Sequence, residues 1–237
     1  LFVSAGLALG LKAGAPAQLE KRDPMLATLK IGIQAAKKIR ISLAYIAAVV
    51  ARGDMAVLIT FFVLWLTQEG ISAGMDTGEA SRNAIKFYIF IQVFALLWLP
   101  VLGFILDRID RVAGVALAMI LAGGGYSTLF LIPDPLGPER WFCAVLIGMG
   151  EISANLASLT LIGSEAPVKG RGAVLGLFSL CGAIGILMIA KGGGALSGIY
   201  GTIAPFGLVA SMNFVVLFLC VGVLYVTRKQ PAKIGAY

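Results

Sequence analysis

The sequence predicts an all-α polytopic membrane protein, a bundle of six transmembrane helices. Three observations predict it. Of 237 residues, 59% are hydrophobic and only 13% are charged, with a mean hydropathy of +0.95, whereas soluble domains run nearer half apolar and a quarter charged. Six apolar runs of spanning length follow one another. The Lys and Arg residues gather in alternate connections between those runs. Thirty glycines agree, because small residues let membrane helices approach closely.

Composition also excludes functions. Histidine is absent, which removes His-based catalysis, His metal sites and His proton relays. Cys143, Cys181 and Cys220 lie in separate apolar runs and form no Cys-x-x-Cys pair, so neither a metal site nor a disulfide framework is expected. The net charge of +7 sits in loops flanking apolar runs, so the expected partner is a lipid bilayer and not nucleic acid. No cofactor motif is present.

Residues 1–11 are apolar but span about half of the ~20 residues a membrane helix needs. They read as the end of a transmembrane helix whose start is missing, in a chain that is the later part of a longer one. Residues 12–40 form the most polar long stretch. Pro16 and Pro24 break any helix early in it. Beyond Pro24, Met25, Leu26, Leu29, Ile33 and Ala36 fall in one sector of about 120°, with Lys30, Lys37 and Lys38 at its edge or opposite. This predicts a cytoplasmic linker carrying an amphipathic helix on a membrane surface.

The six runs cover Ile41–Thr67, Lys86–Leu106, Val112–Ile132, Trp141–Gly163, Gly172–Ala190 and Ala204–Val226, each long enough for a ~30 Å hydrocarbon core. They give a six-helix domain over 41–227 and a tail over 228–237. Trp65, Tyr88, Trp98, Trp141, Tyr200 and Tyr225 near run ends suit an interfacial belt. Fourteen Lys and Arg fall in 12–40, 107–111, 164–171 and the tail, against four (Arg82, Lys86, Arg140 and Lys191) in the other connections. The positive-inside rule then places the first set, and the C-terminus, in the cytoplasm.

Charges within the runs are the candidate functional residues. Arg52 lies ~18 Å beyond Arg40 along a helix, near mid-bilayer. Asp54, about 200° round the same helix, belongs to a different face. Glu151 lies ~15 Å into its run, and Asn155 and Ser158 share its face. A mid-bilayer charge costs about 2.5–3.5 kcal/mol on insertion scales and tends to mark an ion or substrate path. The alternative is a buried Arg–carboxylate pair that only locks helices. Gln92 is either a cavity-lining amide or a helix–helix hydrogen bond. Lys191 reads as an interfacial residue that snorkels to water. Gly172, Gly176, Gly182 and Gly185 supply a small-residue packing face.

The turn Gly103–Arg111, GFILDRIDR, joins two apolar runs through two Arg and two Asp. Its Gly-x-x-x-Asp-Arg-x-x-Arg pattern resembles the loop signature of the major facilitator superfamily of secondary transporters. Gly103, Asp107, Arg108 and Arg111 match, while Asp110 stands where that family usually has Gly and Val112 where a further basic residue is common. EAPVKGRG at Glu165–Gly172 and GGGALSGIYGTIAPF at Gly192–Phe206 are similar to later turns of the family.

The resemblance implies the second six-helix half of a twelve-helix transporter. Its partners would be the missing N-terminal half of the same chain, a small-molecule substrate and protons. Gly103, Asp107, Arg108 and Arg111 would form a gating loop. Substrate would bind near mid-bilayer and cross by alternating access. Glu151 or Asp54 would carry the coupling proton, with Arg52, Gln92 and Asn155 along the same pathway. Arg52 would bind an anionic group or neutralise the ionised carboxylate. Proton-coupled efflux is the first expectation and uptake of a small organic anion or sugar the second, in a bacterial inner membrane. A non-transporting receptor or scaffold is the reading from another class. The lack of Gly-x-Ser-x-Gly, phosphate-loop and metal-ligand patterns argues against an enzyme.

Overall fold

A computed structural model describes residues 25–228. Residues 1–24 and 229–237, and with them the expected partial helix and nearly all of the tail, lie outside the described residues. Seven helices follow in order: α1 Met25–Ala35, α2 Ile39–Ser72, α3 Thr77–Leu106, α4 Arg111–Thr128, α5 Arg140–Glu165, α6 Arg171–Tyr200 and α7 Ala204–Arg228. No strand occurs among the described residues.

Five helices (α2, α3, α5, α6 and α7) are long and apolar enough to cross a membrane. The sixth expected span, α4, is shorter. It has 18 residues and ends at Thr128, not at Ile132, because the ladder tightens to i→i−3 bonds over Leu129–Leu131 ahead of Pro133. The other helices overrun their apolar runs. α2 continues to Ser72, and α6 reaches Tyr200 through what reads in sequence as a loop from Lys191. Backbone hydrogen bonding carries on where hydrophobicity stops. Two of these helices contain a π-turn, Leu58–Phe62 in α2 and Ile189–Gly193 in α6. Such turns cluster at functional sites.

α4 packs between α5 and α7, while α2 packs on α5, α6 and α7. Glycines set the closest approaches. A Cβ on Gly185 would lie 2.0 Å from the Val49 carbonyl oxygen, and one on Gly150 would lie 2.4 Å from the Ala122 Cα. The expected packing face on α6 is thus only half right. Gly182 and Gly185 meet α2, but Gly172 and Gly176 have open space around them. The first two are where α2 crosses; the others lie nearer the start of α6.

α1 lies against α6. A Cβ on its Gly32 would lie 3.0 Å from the Ala173 carbonyl, and the Tyr45 hydroxyl of α2 donates to the Gly32 carbonyl at 3.1 Å. Leu29 and Ile33, from the sector expected to meet lipid, stay exposed on its outer side.

Candidate functional site

Arg52 and Asp54 sit on opposite sides of α2, as their spacing requires. Asp54 is fully buried, while Arg52 is exposed. Gly182 of α6 makes room for the Arg52 stem, since a Cβ there would fall 2.6 Å from Arg52 Cγ. The guanidinium donates to Met55 Sδ at 3.6 Å. It lines a cavity of about 170 Å³ with Asn155, Leu99, Ile152 and Phe178. Asn155 anchors this wall by donating to the Ala51 carbonyl at 3.3 Å.

The opposite side of α2 faces a buried polar centre. Asn213 of α7, fully buried, donates its amide to Asp54 Oδ1 at 2.9 Å. Tyr126 of α4 donates its hydroxyl to the Asp54 main-chain carbonyl at 3.2 Å. That carbonyl stands one turn before the π-turn and also accepts from the Leu58 N–H. Glu151 of α5, only 3% exposed, lies near enough to Asp54 and Tyr126 to interact with both electrostatically. The tight Gly150–Ala122 contact puts it there: α5 can press against α4, and the next residue turns inward.

Four helices therefore meet around two carboxyls, an amide and a phenol. Among the described residues no Lys or Arg pairs with either carboxyl. Arg52 does not neutralise Asp54 here, because it points to the other side of the helix. The Glu151–Asn155–Ser158 stripe runs along the side of α5 that meets α2. Ser158 is buried and donates to the Asn155 carbonyl at 2.9 Å, and Asn155 reaches toward α2 beside the Arg52 cavity. Gln92, half-buried, donates to the Tyr88 hydroxyl at 2.8 Å on its own helix, and Tyr88 lies near enough to Tyr126 to interact with it electrostatically.

A second charged cluster closes one end of the bundle. Arg40, at the start of α2, pairs with Asp110 before α4 and at 2.9 Å with Glu165 at the end of α5. Asp110 also caps α4, its side chain accepting from the Val112 N–H at 2.8 Å. Burial alone would raise the Asp110 carboxyl, but hydrogen bonding to Arg40 and to the α4 N–H groups outweighs it and holds the carboxyl below the usual carboxylate range. These contacts bring three of the basic connections to the same end of the bundle.

A family model described as Major Facilitator Superfamily matches residues 2–190 and, in a second register, residues 44–236. The chain belongs to the major facilitator superfamily. It is an integral membrane protein. Its relatives include the magnetosome protein MamH of Paramagnetospirillum magneticum, 28% identical over 180 residues that make up 75% of this chain and 41% of that protein. The magnetosome protein MamZ of Magnetospirillum gryphiswaldense is 26% identical over 180 residues, 75% of this chain and 27% of that one. MamZ of P. magneticum is 27% identical over 182 residues, again 75% of this chain and 28% of that one. The chain spans less than half the length of these relatives.

The superfamily loop holds together mainly within itself. Arg111 donates to the Leu106 carbonyl at 2.6 Å and lies 3.7 Å from Asp107. The Arg108 guanidinium lies 3.5 Å over the Phe104 ring centre. Gly103 has nothing within 4 Å of a would-be Cβ. The residue that reaches across to another helix is Asp110, one of the two that depart from the usual pattern. An Asp just before a helix start is an N-cap signal, and that signal was available in the sequence. Asn213 and Tyr126 are the other residues that sequence reasoning passed over. Asn213 is an amide inside an apolar run, the same kind of feature that singled out Gln92.

Proposed function

We propose that this chain is the second half of a proton-coupled secondary transporter that exports a small molecule by alternating access. The observation that carries this reading is the pair of buried carboxyls, Asp54 and Glu151, held where four helices meet and, among the described residues, without a paired cation. Charge there is costly, and a group that loads and unloads a proton avoids the cost. Membership of a superfamily of transporters favours this reading over an enzyme or a scaffold. The Arg40–Asp110–Glu165 cluster would act as one side of a gate, breaking when the ends of α2, α4 and α5 part. Vesicles holding the whole protein test the scheme. Glu151→Gln and Asp54→Asn should each cut proton-gradient-driven transport at least tenfold; gradient-driven transport intact in both would overturn it.

A second reading, proton-coupled uptake of a small organic anion, is favoured by Arg52. Among the described residues this guanidinium has no carboxylate partner, and it lines a cavity beside the Asn155 amide. Arg52→Gln should abolish uptake of an organic anion under this reading and leave export of a neutral compound intact under the first. The expected location is a bacterial inner membrane with the C-terminus in the cytoplasm. The names of the relatives make a magnetosome membrane the alternative.

A further inference from the structure

Asp54 and Asn213 are both fully buried, one on α2 and the other on α7. The Asn213 amide nitrogen carries two hydrogens, and both are used. One goes to Asp54 Oδ1 at 2.9 Å and the other to the Val209 carbonyl at 3.0 Å. This fixes which way the amide points, because a flipped amide would set its oxygen against two acceptors. Two buried oxygens are then left without a partner, Asp54 Oδ2 and Asn213 Oδ1. If Asp54 is ionised, both are acceptors facing no donor. One hydrogen on Asp54 Oδ2 removes both deficits, since it makes Oδ2 a donor and gives Asn213 Oδ1 something to accept.

We propose that Asp54 holds a proton on Oδ2 and donates it to Asn213 Oδ1, so that a carboxylic acid and an amide tie α2 to α7 by two hydrogen bonds. Asn213 is then a positioning residue for the proton. The surroundings agree. From α4 comes Tyr126, whose hydroxyl is spent on the Asp54 main-chain carbonyl. From α5 comes Glu151, a second carboxyl that opposes charge on the first. α6 brings Ile189 and Gly185 against the adjacent Gly53. α7 brings Asn213 itself. The one cation close in sequence, Arg52, turns away to Met55.

The use made of this proton rests on the proton-coupled reading above, which it narrows from two carboxyls to one. When the proton leaves for water, Asp54 Oδ2 and Asn213 Oδ1 become two unpartnered acceptors, and only the amide N–H still joins the helices. Proton release therefore loosens α7 from α2.

Infrared spectroscopy of the whole protein in lipid vesicles, titrated through neutral pH, tests this without any substrate. A protonated-carboxyl band should be present near neutral pH, vanish in Asp54→Asn and persist in Glu151→Gln. In Asn213→Leu it should move to higher frequency, as the acid carbonyl loses its hydrogen bond. The exchange Asp54→Asn with Asn213→Asp keeps one acid and one amide and should restore the hydrogen-bonded band, which decides the matter if Asn213→Leu does not fold. A spectrum unchanged by Asp54→Asn, or an exchange variant that folds without the band, would overturn the assignment. Gradient-driven transport left intact in both Asp54→Asn and Glu151→Gln, with the band changing as expected, would instead count against the transport scheme alone.

Discussion

The buried centre and the charged end solve the same problem in opposite ways. At the end of the bundle, one cation, Arg40, offsets part of the charge of Asp110 and Glu165 in a partly wet setting. In the middle, Asp54 and Glu151 lie beside an amide and a phenol, and among the described residues no cation pairs with them. Ion pairs near water are cheap to make and cheap to break, which suits the gate proposed above. A carboxyl buried without a cation is costly to ionise, so its occupancy by a proton becomes the variable. The difference teaches where each kind of switch would belong in the proposed cycle: charge pairs at the edge that parts, a protonatable group at the packed centre.

Several changes would break or sharpen that contrast, beginning with the packing that both regions share. Gly185→Leu drives a side chain into the Val49 carbonyl, which the backbones cannot yield to cheaply. Overpacking of this kind costs ~1–3 kcal/mol or more, and loss of a monodisperse folded peak in detergent is the expected outcome. Asp110→Ala comes next, because it removes both an ion pair and a helix cap. The cap alone is worth ~1 kcal/mol, so a lower thermal midpoint should result.

Removing only the charge pairing, with Arg40→Gln, should cost less than about 1 kcal/mol, in line with partly exposed pairs. Its effect should shrink in high salt, whereas Asn213→Leu should lose the same stability at any salt. The pH dependence has a definite sign. The folded Asp110 carboxyl lies below its ordinary value of about 4. Its contribution is therefore complete above that value and lost as pH falls beneath it. Thermal melts of wild type and Asp110→Asn should differ near neutrality and converge in acid. The smallest effect belongs to Arg108→Ala, which removes an exposed cation–π contact worth ~0.5–1 kcal/mol. It should leave the salt response untouched.

Much of this was legible in the chain itself. Asp54 and Glu151 stood out because charges in apolar runs are rare, and the 200° between Arg52 and Asp54 correctly put them on separate faces. The meeting of Asp54 with Asn213 was not legible, since 159 residues separate them and nothing local pairs an amide with a given carboxyl. The Arg40–Asp110–Glu165 cluster joins residues 70 and 125 apart and was hidden for the same reason. Helix ends were misread where α2 and α6 run past their apolar stretches, because hydropathy reports the hydrocarbon and not the hydrogen-bond ladder. The Gly172–Gly185 series could not say which of its glycines faced a partner. Only the crossing with α2, at Arg52 and Val49, picks out Gly182 and Gly185.

The π-turn at Leu58–Phe62 changes how α2 answers to insertion and deletion. A π-turn holds one residue more than the α-helical turn it replaces. Loss of one residue within an ordinary helix rotates everything beyond it by about 100°. Within Leu58–Phe62 the same loss can be absorbed by converting the wide turn to a normal one. Asp54 would keep its place, and Trp65 and Leu66 beyond the turn would keep theirs. The helix thus carries a spare residue at the point next to its buried carboxyl, where a frame change would otherwise do most harm.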